Sequence, residues 1–311
     1  MKKLVPILCS TICLCFFLNT LSGQGLEAFK VSKEWVTQIE QLAPITPAKD
    51  VATKKKFLIF SLHTGFEHWA IPHTEKVMSL LVDKSGMYTI DVSYNIASFT
   101  AENLEKYDAV ILNNNCSIGD KRDLFWDVIK NDNTLSEREK LDKAAQLESN
   151  LLNYVAEGHG LMVLHGAIVM QNKSEKFGEM VGGSFDYHPK QQKIQVNIVD
   201  PEHPLTKAFQ GEGFEHIDEP YFFNNAYFDY NFRPLLSMET KSLSGLKEGV
   251  AVKDPIKYIS WIKKYGNGRV FYCSPSHNAQ SYENEKLLGF LFNGMQYVAG
   301  DLLCDDSPME K

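Results

Sequence analysis

The chain has 311 residues, a formal net charge of −7, 44% hydrophobic residues and nine histidines. An acidic balance with no basic cluster argues against a nucleic-acid partner, and no stretch beyond the N-terminus approaches the roughly 20 apolar residues of a membrane span. A small neutral or polar ligand, such as a sugar, is the expected partner.

Residues 1–23 read as a secretory signal peptide. Lys2 and Lys3 precede an apolar run from Leu4 to Leu18, and Thr20, Ser22 and Gly23 lead to Gln24. Leu14 stands where a lipoprotein would need a small residue before Cys15, so simple export to the periplasm or medium is the expectation. Only Cys116, Cys273 and Cys304 remain after this segment, and three scattered cysteines make no disulfide framework. Stability must come from a core, and about 288 residues can bury about three quarters of their unfolded surface in one large domain.

Residues 24–55 suggest an N-terminal helix, in LEAFKVSKEWVTQIEQL, followed by a linker with Pro44, Pro47 and a lysine run. A βα rhythm then begins. Strands are expected at 56–62, 88–94 and 107–113, with helices at 71–84 and near 100–106. Residues 116–134 break the rhythm and read as a surface insertion. Ser136 caps a long helix that ends at Gly158 and feeds the strand in GHGLMVLHGA, 158–167. Further strands are expected at 193–200, 233–238, 248–254, 257–265 and 268–274, several of them open to an antiparallel reading, with a last helix over about 282–299. Alternating strands and helices imply an α/β fold with a mostly parallel central sheet.

Open α/β sheets keep their chemistry at the C-terminal ends of strands. His165 sits at such a tip, in Val163-Leu164-His165-Gly166-Ala167, where a nucleophile elbow would carry Ser or Cys. With neither thiol nor hydroxyl there, acid/base or metal work is favoured over acyl transfer. The first strand runs into His63-Thr64-Gly65-Phe66-Glu67-His68-Trp69, whose turn aims His68 at the rim. His63 and His73 suit structural roles better. Gly182-Gly183-Ser184-Phe185-Asp186-Tyr187-His188-Pro189 reads as a glycine-led loop that holds His188 extended before Pro189; it lacks the features of a phosphate loop. His203 fits a helix start. Glu215-His216-Ile217-Asp218-Glu219-Pro220-Tyr221 is either a solvated face or a site segment with Glu219 inward and Tyr221 beside it. Past the last strand stands His277. His and Glu suit zinc or manganese, yet no H-E-x-x-H or paired C-x-x-C spacing demands a metal.

The His68 turn, GHGLMVLHGA, GGSFDYHP, DPEHPLT, DEPY and ISWIKKYGNGRVFYCSPSH together resemble the trehalose-utilisation (ThuA-like) family over 56–301, leaving 302–311 as a C-terminal tail. The resemblance implies a flavodoxin-like three-layer sandwich of the class I glutamine amidotransferase kind, with a histidine in place of the catalytic cysteine. It implies breakdown of 3-keto-glycosides by hydrolysis or by elimination and hydration. Carried onto this chain, it implies catalytic roles for His68, His165, His188 and Glu219, which are also the candidate ligands of one divalent ion. Substrate contacts fall to Gly65, Trp69, Gly166, Gly183, Phe185, Asp218, Tyr221 and His277. Ser276-His277 departs from the family's closing Gly-His pair. The reading from another class is a non-catalytic periplasmic sugar-binding or accessory module, since aromatics near the motifs suit pyranose faces in either case.

Overall fold

The computed structural model describes residues 25–44, 54–249 and 255–309. The expected signal peptide, most of the linker with Pro47, and most of the expected 248–254 strand lie outside these residues.

In chain order the elements are α1 (Lys33–Leu42), β1 (Lys55–Phe60), α2 (Ile71–Ser85), β2 (Tyr88–Ser93), α3 (Ala101–Leu104), β3 (Ala109–Asn113), α4 (Leu124–Ile129), α5 (Glu137–Ala156), β4 (Gly160–Leu164), α6 (Glu175–Val181), β5 (Ser184–Tyr187), β6 (Gln192–Ile198), β7 (Phe214–Asp218), β8 (Phe222–Asn224), β9 (Arg233–Glu239), β10 (Ile256–Tyr265), β11 (Gly268–Cys273) and α7 (Glu285–Val298). Their limits follow local chemistry. Ser136 and Glu139 form a capping box at the start of α5, worth about 1 kcal/mol. The α1 helix begins later than its apolar pattern suggested, because Ser32 accepts from the Trp35 amide and caps it there.

Nine strands form one sheet in the order β2-β1-β3-β4-β11-β10-β9-β6-β7, and β5 pairs with β8 apart from it. The expectation of a mostly parallel sheet is corrected: β2 to β11 pair in parallel, whereas β11, β10, β9, β6 and β7 pair antiparallel. The switch is made by Gly266-Asn267, a two-residue turn between β10 and β11. Gly266 has φ +57, and a Cβ there would lie 2.5 Å from the Ala156 carbonyl oxygen.

Alternate residues of the buried strands face opposite cores. Phe57 and Ile59 join α1, α2 and α7 on one face; Leu58 and Phe60 join α4, α5 and α6 on the other. Of residues 116–134, expected as a surface insertion, 118–122 are exposed, but Cys116 and Leu124, Phe125 and Ile129 of α4 are buried in the second core. The segment's charges misled: Asp127 is buried where it accepts from Thr64 Oγ1 at 2.8 Å and the Ile118 amide at 2.9 Å. Likewise 184–187, expected as loop, is strand β5, and the charged 214–218 segment is edge strand β7. Among the described residues no helix is long and apolar enough to cross a membrane.

His73 is fully buried, edge-on to Phe29, Trp35 and Trp69. Burial lowers its pKa despite an opposing backbone hydrogen bond at Trp69. The unfolded chain therefore binds a proton near pH 6.5 that the folded chain refuses, so this contribution destabilises the fold as pH falls below about 6.5. Thermal unfolding from pH 8 to pH 5 is expected to show a falling Tm, with a shallower slope in His73→Phe. Equal slopes in both proteins would refute the assignment.

Candidate functional site

Four strands that run in one direction, β1, β4, β7 and β11, deliver one side chain each to a common point just beyond their C-terminal ends. His68 comes from the loop after β1, His165 directly after β4, Glu219 directly after β7, and His277 from the loop after β11. One nitrogen of each imidazole and one carboxylate oxygen all lie within 4.8 Å of one another. His68 and His165 are buried, and the Glu219 side chain keeps 14% exposure. His188, expected among these ligand candidates, stands outside the four. Its Nδ1 is 3.7 Å from Glu219 Oε1 and its side chain is 33% exposed.

The local backbone explains this convergence. His165 has φ +44, a left-handed conformation uncommon for a residue with a side chain, and the turn is braced by Asn114 Oδ1, which accepts from the Gly166 amide at 3.2 Å. A Cβ on Gly166 would lie 2.6 Å from His68 Cε1 and 3.0 Å from Cys116 Sγ. Gly166→Ala is thus expected to displace His68 and to lower stability by about 1–3 kcal/mol. Thermal unfolding checks this, and an unchanged Tm would show that His68 and Cys116 yield without strain.

Asp218 is buried and its carboxylate faces backbone. Oδ1 accepts from the Glu219 amide at 2.8 Å and Oδ2 from the Ser276 amide at 3.2 Å, so one side chain ties the Glu219 segment to the His277 loop. Gly65 is packed against the Ser117 carbonyl, and its amide donates to the Cys116 carbonyl at 2.8 Å. Gly183 lies against Tyr227. Trp69 packs on Phe29 and borders a groove that His68 also lines. Tyr221 is buried with its ring 4.2 Å from that of His165, and half-buried Phe185 stands 5.8 Å from His188. Two neighbours went unnoticed in the sequence. Exposed Phe66 packs edge-on to His68, and Cys116 Sγ is 3.8 Å from His68 Nδ1. Phe66 was discoverable, being an aromatic two residues from His68; Cys116 was not, because only folding brings it there. Burial, and then the charge of Glu219, pushes the Cys116 thiol up to about 12, so it stays protonated.

Proton positions follow from the hydrogen bonds. His165 Nδ1 is 2.8 Å from the Ser274 carbonyl, which can only accept, so that nitrogen carries the proton and Nε2 bears a lone pair when the ring is neutral. This Nε2 is 3.4 Å from Glu219 Oε2 and 3.2 Å from His277 Nδ1, and His277 Nδ1 is 3.2 Å from Glu219 Oε2. Burial opposes ionisation of Glu219, but hydrogen bonds and charge from His165 and His277 outweigh it and hold the carboxyl well below its usual range. Burial also opposes protonation of His277, yet Glu219 and Asp218 hold its pKa above the ordinary value. Burial, then the charges of His165 and His277, drives His68 the other way, so it stays neutral. One proton on His277 serves both of its partners. A divalent cation among the same atoms would satisfy all four groups at once, and the His165 bond to Ser274 would then orient the ligating imidazole.

A family model described as ThuA, trehalose utilisation, matches residues 56–298. Among solved structures, the fold is similar to that of a putative ThuA-like protein from Bacteroides uniformis, with a TM-score of 0.57 and 18% identity over 81% of this chain and 95% of that one. A second putative ThuA-like protein, from Parabacteroides merdae, gives 0.55 and 15% over 83% and 98%. A protein from Salmonella typhimurium described as cytoplasmic gives 0.52 and 17% over 78% and 99%. No curated protein matches the chain.

Proposed function

Because the chain belongs to the ThuA (trehalose utilisation) family, we propose that it acts on carbohydrate, as an enzyme that cleaves 3-keto-glycosides. The observation that carries this reading is the convergence of three imidazole nitrogens and one carboxylate oxygen within 4.8 Å at the strand ends. Such a group suits stabilisation of negative charge that appears only during reaction. A ketone at C3 of a pyranose acidifies the C2 proton. Removal of that proton places charge on the C3 oxygen, the C1–O bond breaks as the leaving oxygen takes up a proton, and water then adds to the enone.

In this reading His68, His165, Glu219 and His277 hold one divalent ion, zinc or manganese. When bound, the ion supplies Lewis-acid stabilisation of the developing enediolate, worth several kcal/mol. His188 takes the C2 proton. It borders Glu219 at the exposed side of the group, and its Nδ1 donates to the Pro189 carbonyl at 2.9 Å, which leaves Nε2 with a lone pair. The residues expected from the sequence to serve as base, His165 or Glu219, both belong to the converging group, and fully buried His165 suits a ligand better. Exposed Phe66 and half-buried Phe185 offer faces for a pyranose ring. We read the parallel strand order β2-β1-β3-β4-β11 as flavodoxin-like, and we retain export directed by residues 1–23 within the proposal.

The test is turnover of 3-keto-trehalose and a methyl 3-keto-glucoside by the purified chain, followed by mass spectrometry. Release of the aglycone supports the reading. Binding of both compounds without turnover would instead establish the sugar-binding module, and neither binding nor turnover would sink both readings.

A further inference from the structure

Residues 25–32 lead into α1 without regular secondary structure, outside the region that the family model matches. This strap touches three of the loops that build the site. The Leu26 amide donates to Gln191 Oε1 at 2.7 Å, three residues past His188. Gln280 Nε2 donates to the Glu27 carbonyl at 3.1 Å, three residues past His277. Phe29 packs against Trp69, one residue past His68, with ring centroids 5.3 Å apart. Between strap and loop lies a groove of about 730 Å³, with Ala28, Lys30, Glu67 and Trp69 in its walls and His68 as the residue it shares with the four-group site.

We propose that this groove is the subsite for the leaving group of the glycoside, a second sugar ring or a comparable hydroxylated ring, and that the strap makes the chain selective for two-ring substrates. The proposal rests on the glycoside reading above. The geometry supports it in three ways. His68, which the reacting ring meets in the reading above, also lines the groove. The half-buried Trp69 indole supplies an apolar face of the kind that stacks on pyranose C–H groups, while Glu67 and Lys30 are exposed and able to bond ring hydroxyls. The volume lies within the range of sites that enclose small ligands and exceeds what a single reacting ring requires.

The experiment compares 3-keto-trehalose with methyl 3-keto-α-glucoside, two rings against one, in the parent chain and in Ala28→Trp and Val31→Trp. Both substitutions fill the groove from exposed positions on the strap, and two variants guard against a folding defect in either. In the parent, kcat/KM for the two-ring compound is expected to exceed that for the one-ring compound by about tenfold, and the filled variants should lose most of that preference. An unchanged preference in both variants overturns the subsite. Calorimetric affinities for the same two compounds separate the two levels of inference. If the parent turns over neither compound, the cleavage reading fails, yet a two-ring binding preference that the tryptophans erase still upholds the groove. Equal affinities in parent and variants, or no binding of either compound, overturn it.

Discussion

Glu219→Gln is expected to lower turnover of 3-keto-trehalose by about 10³-fold while leaving the protein folded. Glu219 is the one carboxylate among the four converging groups, and the amide that replaces it keeps the volume but removes the charge. Two consequences follow from its hydrogen bonds. The raised pKa of His277 depends on Glu219, so the variant should titrate His277 at lower pH. His165 Nε2 and His277 Nδ1 would face a neutral partner, and the group would lose affinity for a cation. The Tm at neutral pH is expected to fall, since the hydrogen bonds and charge of His165 and His277 outweigh the cost of burying the carboxylate and the amide cannot replace them. Its own pKa gives the sign at acid pH. A carboxyl held below its unfolded value stabilises the fold above about pH 4.5, and that contribution is lost as pH falls through the lower folded value; Glu219→Gln should flatten stability in that acid range. A variant that turned over within threefold of the parent would remove Glu219 from the mechanism.

Chelation carries the second large effect. Treatment with EDTA is expected to leave under about a hundredth of the turnover, and zinc or manganese should restore it. Added cation at about 100 times its Kd should stabilise the fold by about 2.7 kcal/mol, a rise in Tm of several degrees for a chain of this size. Binding should also release a proton below the raised pKa of His277, because that nitrogen must shed its hydrogen to ligate. Calorimetry in two buffers of different ionisation enthalpy counts it. Full turnover by a chain shown to carry no metal would replace the cation with histidine acid/base chemistry, in which His165 Nε2 beside Glu219 becomes the base.

Particular residues show why some of the site was legible in the sequence and some was not. His165 could be seen because its strand is a continuous apolar run ended by a small-residue turn, a pattern local to about ten residues. His68 and His277 could be placed past strands for the same reason. Glu219 was visible only as part of a charge-rich segment, because the alternation in β7 is that of an edge strand with one wet face. The resemblance implied a substrate contact for Asp218; the part its carboxylate plays in joining the amides of Glu219 and Ser276, 57 residues apart, appears only on folding.

The amino-acid sequence by itself determined the α/β class, most helices and strands, and which residues reach the rim, because hydrophobic period, caps and turn residues act over one or two turns of chain. Only the tertiary structure decided which rim residues meet. β7 is the edge strand, four places from β11 in the sheet, yet Asn278 Nδ2 donates to the Ile217 carbonyl at 2.8 Å and Glu219 reaches His277. Strand twist accumulates from one pair to the next across such a sheet, and the register of β10 on β9 is irregular near Ser260. Sheet curvature sums small rotations across strands far apart in the chain, so no local pattern of residues encodes it.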